Sequence, residues 1–461
     1  MHFIELNWRC EEMEVPYGPE NRAEIYAGRL SRMLSFETVS REGEHDPELF
    51  HRFYDLLEEL FPALFAAVER EEPDGCLLLR WKGRNPGAKP VLFMNHSDTV
   101  EAQEGWKYPP FEGRLAEGKV WGRGALDTKG GLWGMLQAAD ELCAAGFVPE
   151  CDIYFESSCC EEISTAGHGA GEVARLLQER GLHFSFALDE GGMILYEPIG
   201  GVKAEFAMIG VGERGCGTLR FVARGGGGHA SAPDKNTPLV RLGRFMAAVE
   251  NLPLFRAEIA PALQEMLRRF APFTEGTMQK VYAKPEKFDA LLKAAMPRVS
   301  ATSRAMVQST VAFTMAGGSE GLNVIPAEAW VMGNLRSSHH QKFETCRRIL
   351  TKLAARYKID VETVETPEES RLSDYGSAGF LLMEQAVDAA FPGVHTAPYI
   401  MTGCSDARFM DSICDNCYRF VPFRISEEQM ESIHGLNECV DVSTLPGAVD
   451  FYRYLMEGVG K

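Results

Sequence analysis

Residues 91–100, VLFMNHSDTV, open with an apolar run of strand length, Val91 to Met94, and present His96 and Asp98 where such a strand gives out. On extended chain, residues two apart project to the same side, so an imidazole and a carboxylate are offered together. They stand at the carboxyl end of a buried strand, where open α/β sheets form their ligand crevices. That reading predicts an α/β fold with its chemistry at the strand ends. Residues 120–131, VWGRGALDTKGG, follow; Asp127 lies among glycines that permit close backbone approach, just ahead of an apolar helical stretch, Leu132 to Cys143.

Two further strand-like runs end in acids. CDIYFESSCCEEIS (151–164) carries Ile153 to Phe155 and then the pair Glu161–Glu162, while HFSFALDEGG (183–192) closes on Asp189 with Glu190 beside it. Neighbouring carboxylates do not both ionise cheaply without a cation nearby, so one glutamate suits a metal and the other proton transfer. His434 lies in SIHGLNE (432–438), near the C-terminus. Zn²⁺ accepts imidazole nitrogen and carboxylate oxygen, and a carboxylate shared by two ions makes a two-metal clamp, for which Asp127 is the natural bridge. On this reading Asp98 stays open as a ligand. Singly these residues decide nothing, because an HxD pair more often caps a loop, a glutamate pair more often faces solvent, and His434 before Gly435 reads equally as a loop histidine. Their order and glycine punctuation make them a set.

Composition agrees. With 461 residues, 45% of them hydrophobic, the chain can bury large cores and form two or three domains. A net charge of −19, with no basic tract to offset it, argues against nucleic acid or an anionic membrane surface as partner. Neither a run of about 20 apolar residues nor a charged-then-apolar leader is found, so a cytoplasmic location is expected. The twelve cysteines are irregularly spaced, unlike a secreted disulfide framework, and are expected to be reduced. Cys414 and Cys417 form a CxxC without the second pair of a zinc ribbon and read as packing residues. Cys159 and Cys160 read the same way, although thiols so near the acids are open to oxidation or to soft metals.

Arg22 to Leu34 and Pro47 to Glu71 read as amphipathic helices, followed by alternating strands and helices down to Phe206. After Gly210 the pattern changes: GTLRFVARG is a strand, PLVRLGRFMAAVENL a helix, VQSTVAFTMAG and AEAWVMGNLRS strands, HQKFETCRRILTKLAARY a helix and KIDVETVET a strand. That β-α-β-β-α-β order is the ferredoxin-like arrangement. The expected division is a first domain of residues 1–209 and 367–461, interrupted by an inserted domain, 210–366. An extra segment, Pro253 to Ser303, is rich in Met, Phe and Pro and either covers the cleft or packs on the insertion. Gly225–Gly228 lacks the Lys and Ser/Thr of a phosphate loop and reads as a turn that delivers His229.

Taken in order, HSDTV with Trp106 and PPF (109–111), VWGRGALDTKGG, EE, ALDEGG, GGGGHASAP, NVIP, NLRSS, GCSDAR and HGLNE resemble the M20 metallopeptidase family, the aminoacylase and carboxypeptidase group, and most resemble its carboxypeptidase S branch. The resemblance runs from roughly Tyr26 to Tyr454. It implies a zinc-exopeptidase-like catalytic domain, with a mixed, mostly parallel sheet flanked by helices, and an inserted α+β ferredoxin-like lid. It implies two Zn²⁺ ions, with Co²⁺ or Mn²⁺ as substitutes: His96 and Asp189 on one, Glu162 and His434 on the other, Asp127 between them. Glu161 becomes the general base, Asp98 the residue that orients His96, and His229 the group that polarises the scissile carbonyl. Arg336 takes the substrate carboxylate, with Asn323 and the Gly403–Ser405 backbone lining the same pocket.

The expected function is hydrolysis of an amide or peptide bond beside a free carboxylate, in a small peptide or N-acyl amino acid. The rival is a catalytically silent binder of such ligands. A homodimer through the lid is also implied, with His229 reaching the partner's site. Two departures from the family stand out. Cys160 occupies a position that is commonly acidic, and the loop ISTAGHGAG (163–171) is about two residues longer, which leaves Glu190 as the substitute ligand if Asp189 does not face the metal.

Overall fold

A computed structural model describes residues 21–163, 168–367 and 369–461. Val91–Met94 forms a strand buried on both faces, as its unbroken apolar run requires. Parallel strands Ile153–Ser157 and Phe186–Asp189 flank it, and Cys417–Arg419 runs parallel beyond the second. Leu77–Trp81 and Val68–Glu71 extend one side antiparallel, while Glu205–Glu213, His395–Met401 and Ile194–Tyr196 extend the other, within a ten-stranded mixed sheet. Helix Lys129–Ala144 is buried along most of its length beneath helices Arg22–Leu34 and Leu445–Gly458. Its first turn needs glycine: a Cβ on Gly130 or Gly131 would overlap the Ala125 carbonyl or the Asn95 side chain, so the helix starts directly against the strand end that bears His96.

The second sheet has four antiparallel strands in the order Thr310–Gly317, Glu328–Ser337, Gly215–Arg224, Ile359–Glu365, covered by helices Pro238–Asn251 and Phe343–Ala355. Leu219, Phe221, Phe245, Val331 and Leu350 form its separate core. This is the ferredoxin-like arrangement. The chain passes between sheets at Arg214 rather than at Gly210, because strand Glu205–Glu213 is still paired in the large sheet and Val211 lies in the large core.

One expectation needs correction and another is met only in part. The segment Pro47 to Glu71 is not one helix: helix Pro47–Leu60 stops before Pro62, a short turn Pro62–Phe65 follows, and Val68–Glu71 pairs as an edge strand with Leu77–Trp81. Proline at the first helical position starts a new turn but cannot continue the old helix, and the alternating VERE suits an edge. The extra segment, residues 253–303, divides: Leu254 and Phe255 pack against the core of the small sheet, while the helices that follow pack elsewhere and contribute no lining residue to the cleft. Leu263, Met266 and Phe270 share a core with Phe206, Met208 and Ala397 of the large sheet. Phe270 stands edge-on to Phe206 with ring centroids 4.6 Å apart. Among the described residues no helix is long and apolar enough to cross a membrane.

One buried ion pair ties the Asp127 loop to the C-terminal loop of His434. Arg123 and Glu438 are both almost wholly buried and meet at 2.8 Å. Glu438 also accepts the N–H groups of Gly124, Leu126 and Asp127, at 3.2, 2.7 and 3.1 Å. Removing one partner strands a charge in the interior. Glu438→Gln is therefore expected to cost about 3–5 kcal/mol in urea unfolding. Glu59→Gln, which breaks the exposed pair with Arg32, is expected to cost about 1 kcal/mol or less.

Candidate metal centre

Three parallel strands deliver the site at their carboxyl ends: His96 and Asp98 follow Met94, Glu161 and Glu162 follow Ser157, and Asp189 and Glu190 close the third. Asp127 comes from the glycine-rich loop before helix Lys129–Ala144, after which its peptide to Thr128 is cis. His434 is held in the left-handed region, φ 58°, an uncommon conformation for a residue with a side chain. His96 Nε2 lies 3.0 Å from Asp127 Oδ1, and His434 Nε2 lies 3.0 Å from Asp127 Oδ2 and 3.0 Å from Glu162 Oε2. Two imidazoles thus address the two oxygens of one aspartate.

Asp98 points away from this meeting point. Its Oδ1 and Oδ2 accept the backbone N–H groups of Glu161 and Glu162 at 3.1 and 3.2 Å, and Oδ1 lies 3.4 Å from His96 Nδ1. It fixes the imidazole on one side and the glutamate pair on the other. Asp189 is also turned away. Its Oδ1 takes the N–H of Glu190 at 2.8 Å and its Oδ2 the N–H of Ala407 at 2.7 Å. Adjacent residues at a strand end point oppositely, and Glu190 is the one that lines the cleft.

The cleft has a volume of about 850 Å³ and is lined by Asp127, Glu161, Glu162, Glu190, Arg336 and His434 among others. Burial pushes the carboxyls of Glu161, Glu162 and Glu190 up, and acidic neighbours add to it: Asp406 for Glu161, Asp127 for the other two. Burial acts the same way on Asp127, but hydrogen bonds from His434 and His96 outweigh it and hold that carboxylate below its usual range. Hydrogen bonds to Asp127 and Glu162 raise His434 to about 10. Glu162 Oε1 is buried without a partner. An orphaned carboxylate oxygen among nitrogen and oxygen donors, with like charges crowding each other, fits divalent cations of the zinc type.

At the other wall, Arg336 Nε donates to Asn334 Oδ1 at 2.8 Å and its Nη1 lies 3.2 Å from Cys404 Sγ. Gly403 lines the cleft, but Ser405 does not: it is fully buried, with its N–H and hydroxyl both given to Glu213 Oε2 at 3.0 and 2.9 Å. Arg408 was not singled out from GCSDAR, yet its Nη1 lies 3.6 Å from Glu161 Oε1 and donates to the Ser405 carbonyl at 2.7 Å. Cys216, also in the cleft, is pushed down to about 6 by its hydrogen bond with Cys404 and then by Arg336. Neither had a local signal, since each gains its meaning from chain far away. His229 and Asn323 lie elsewhere: Gly228–His229 pairs with Val324–Ile325, the Ala230 N–H donates to the Asn323 carbonyl at 2.9 Å, and neither side chain lines the cleft of its own chain. Cys414 and Cys417 are buried, as packing residues are.

Comparison with known proteins supplies the family. The sequence profile of Peptidase family M20/M25/M40 matches residues 92–458. The chain is 32% identical over 384 residues to the N-fatty-acyl-amino acid synthase/hydrolase of Homo sapiens, spanning 82% of this chain and 75% of that protein. It is 27% identical over 452 residues to a probable carboxypeptidase S-like protein of Dictyostelium discoideum, spanning 94% and 85%. In three dimensions it superposes on an M20 family metallo-carboxypeptidase from Sulfolobus solfataricus with a TM-score of 0.68 at 16% identity, covering 94% of this chain and 98% of that one. The chain belongs to peptidase family M20/M25/M40 and is a hydrolase of that family.

Proposed function

We propose that the chain cleaves the amide or peptide bond next to a free carboxylate, in an N-acyl amino acid or a small peptide, at two divalent ions. His96, Asp127, Glu162, Glu190 and His434 would hold them, with Glu190 in the place first given to Asp189. The observation that carries this reading is Asp127 with an imidazole 3.0 Å from each of its oxygens, the arrangement of a bridging carboxylate with one histidine per ion. Zn²⁺ suits these donors, and Co²⁺ or Mn²⁺ are compatible with them.

Ions bound there would supply Lewis acidity and lower the pKa of a water molecule. Glu161, buried and therefore a stronger base than a solvated glutamate, takes a proton from the attacking water and gives it to the leaving nitrogen as the C–O bond forms and the C–N bond breaks. Asp98 keeps His96 and the glutamate pair in register. Arg336 receives the substrate carboxylate through its planar fork, beside the Gly403 backbone. His229 stabilises the oxyanion from the partner subunit of a homodimer, and Asn323 comes with it to line the pocket of the substrate carboxylate. The separation of these two residues from the cleft of their own chain, and the exposed edge strand Thr310–Gly317, support that assembly.

The test is a panel of N-acyl amino acids and dipeptides, with their carboxyl amides, offered to the purified protein. Turnover is expected, lost on chelation and regained with Zn²⁺. Glu161→Gln should keep its metal and lose about 10²–10⁴-fold in kcat, whereas Glu162→Gln should lose metal. Arg336→Ala should raise KM for the free acids and leave the amides nearly unchanged. Binding without turnover would establish the silent binder instead.

Assembly has its own check. Mixing Glu161→Gln with His229→Ala subunits should restore activity to about a quarter of wild type when subunits exchange at random, because one site of a mixed dimer keeps both residues. No recovery after verified exchange would put His229 outside the partner's site.

A further inference from the structure

At the rim of the cleft, three separate stretches bring His45, Asp74 and His168 together. His45 Nε2 lies 3.1 Å from Asp74 Oδ1, and His168 Nδ1 lies 3.0 Å from Asp74 Oδ2. The two imidazoles stack with centroids 4.3 Å apart and planes 19° from parallel. Ligand atoms of the three residues lie within 4.8 Å of one another. This repeats the arrangement at Asp127, where two imidazoles also address the two oxygens of one aspartate at 3.0 Å. None of the three belongs to the machinery assigned above.

The cluster is braced. Asp74 sits at φ 54° in the turn Pro73–Gly75, its Oδ2 accepts the Gly169 N–H at 3.3 Å, and its carbonyl accepts from Cys159 Sγ at 3.5 Å. The second nitrogen of His45, Nδ1, faces Cys160 Sγ at 3.8 Å. That contact occupies the nitrogen of His45 that does not face Asp74. Cys160 lies 3.3 Å, sulfur to sulfur, from Cys159. The two departures from the family pattern, Cys160 and the lengthened loop that carries His168, thus converge on one place.

We propose that His45, Asp74 and His168 form a third metal site, for a divalent ion of the zinc type, separate from the catalytic pair. Two nitrogens and a carboxylate leave a fourth position open, and His45, Asp74 and His168 are accessible enough for an ion to enter: their side chains are 25%, 23% and 49% exposed. A dication here would take the place between the two imidazoles and Asp74 that hydrogen bonds fill without it. It also clamps the chain on both sides of Glu161–Glu162, through Cys160 and His45 before the pair and through His168 after it.

Zn²⁺ titration of the metal-free full-length protein should show three equivalents bound in wild type and two in His45→Gln and in Asp74→Asn. Asparagine is among the residues with side chains that the left-handed backbone at residue 74 tolerates well. In Asp127→Asn, which damages the catalytic pair, one equivalent should remain, and it should vanish when Asp74→Asn is added; Co²⁺ absorption read on the same variants reports the geometry of that ion. Two equivalents in wild type, or a third that persists in both rim variants, would overturn the site. Because the count at the rim is read in a variant with a damaged catalytic pair, its failure is distinguishable from failure of the two-ion reading.

Discussion

Both oxygens of the fully buried Asp98 are taken by backbone N–H groups, those of Glu161 and Glu162. The rest of the centre depends on that pair of bonds. They join the ends of two neighbouring parallel strands just beyond their last ladder contact, where the Ser97 N–H still reaches the Ser158 carbonyl at 2.7 Å. With the strand ends locked, His96 on one side and the two glutamates on the other have a fixed spacing. An aspartate acting instead as a ligand would have left the glutamate N–H groups buried and unpaired, at a cost of about 1–3 kcal/mol each.

The second constraint is electrostatic. Asp127, Glu161, Glu162 and Glu190 share one cleft wall, with Asp189 and Asp406 behind them, and burial disfavours the charged form of most of these groups. Burial alone favours their protonated forms. His96, His434 and Arg408 offset part of the charge, and divalent ions would offset the remainder. Only Asp127, with an imidazole on each oxygen, is held ionised by its surroundings alone.

The strand ends were legible from local sequence because each signal is short: an apolar run, then an acid or a histidine, then glycine. Asp127 and His434 were legible for the same reason, and so was the order of elements in the small sheet. What was not legible depends on distant chain. The sequence favoured Asp189 with Glu190 as the substitute, and only the fold shows Asp189 accepting the N–H of Ala407, 218 residues further on, while Glu190 lines the cleft. The Ser405 backbone was expected to line the substrate pocket, but Glu213 on another strand takes its N–H and its hydroxyl. Arg408 is one arginine among many until the fold sets it beside Glu161. The helices of residues 253–303 are amphipathic, and amphipathicity says that a face is buried without saying against which sheet; Phe206 and Ala397 supply that answer.

The crossing between the two sheets shows why Arg336 can face the metal centre at all. Glu213, the last residue of its strand in the large sheet, pairs with the fully buried Arg419 at 3.0 Å and holds Ser405 through both its N–H and its hydroxyl. The next residue, Arg214, sends its guanidinium into the small sheet, donating to the carbonyls of Gln308 and Arg336 and to Thr310 Oγ1. Burial, and then the charge of Arg336, pushes Arg214 down to about 10. Its own carbonyl accepts from Cys404 Sγ at 3.4 Å, and Cys404 in turn touches the Arg336 guanidinium. The loop with Gly403 and Arg408, the strand with Arg336 and the crossing peptide are therefore one polar knot. Breaking a buried ion pair such as Arg419–Glu213 costs several kcal/mol. These contacts hold the Arg336 guanidinium and the Gly403 loop in one relation to each other at the cleft wall.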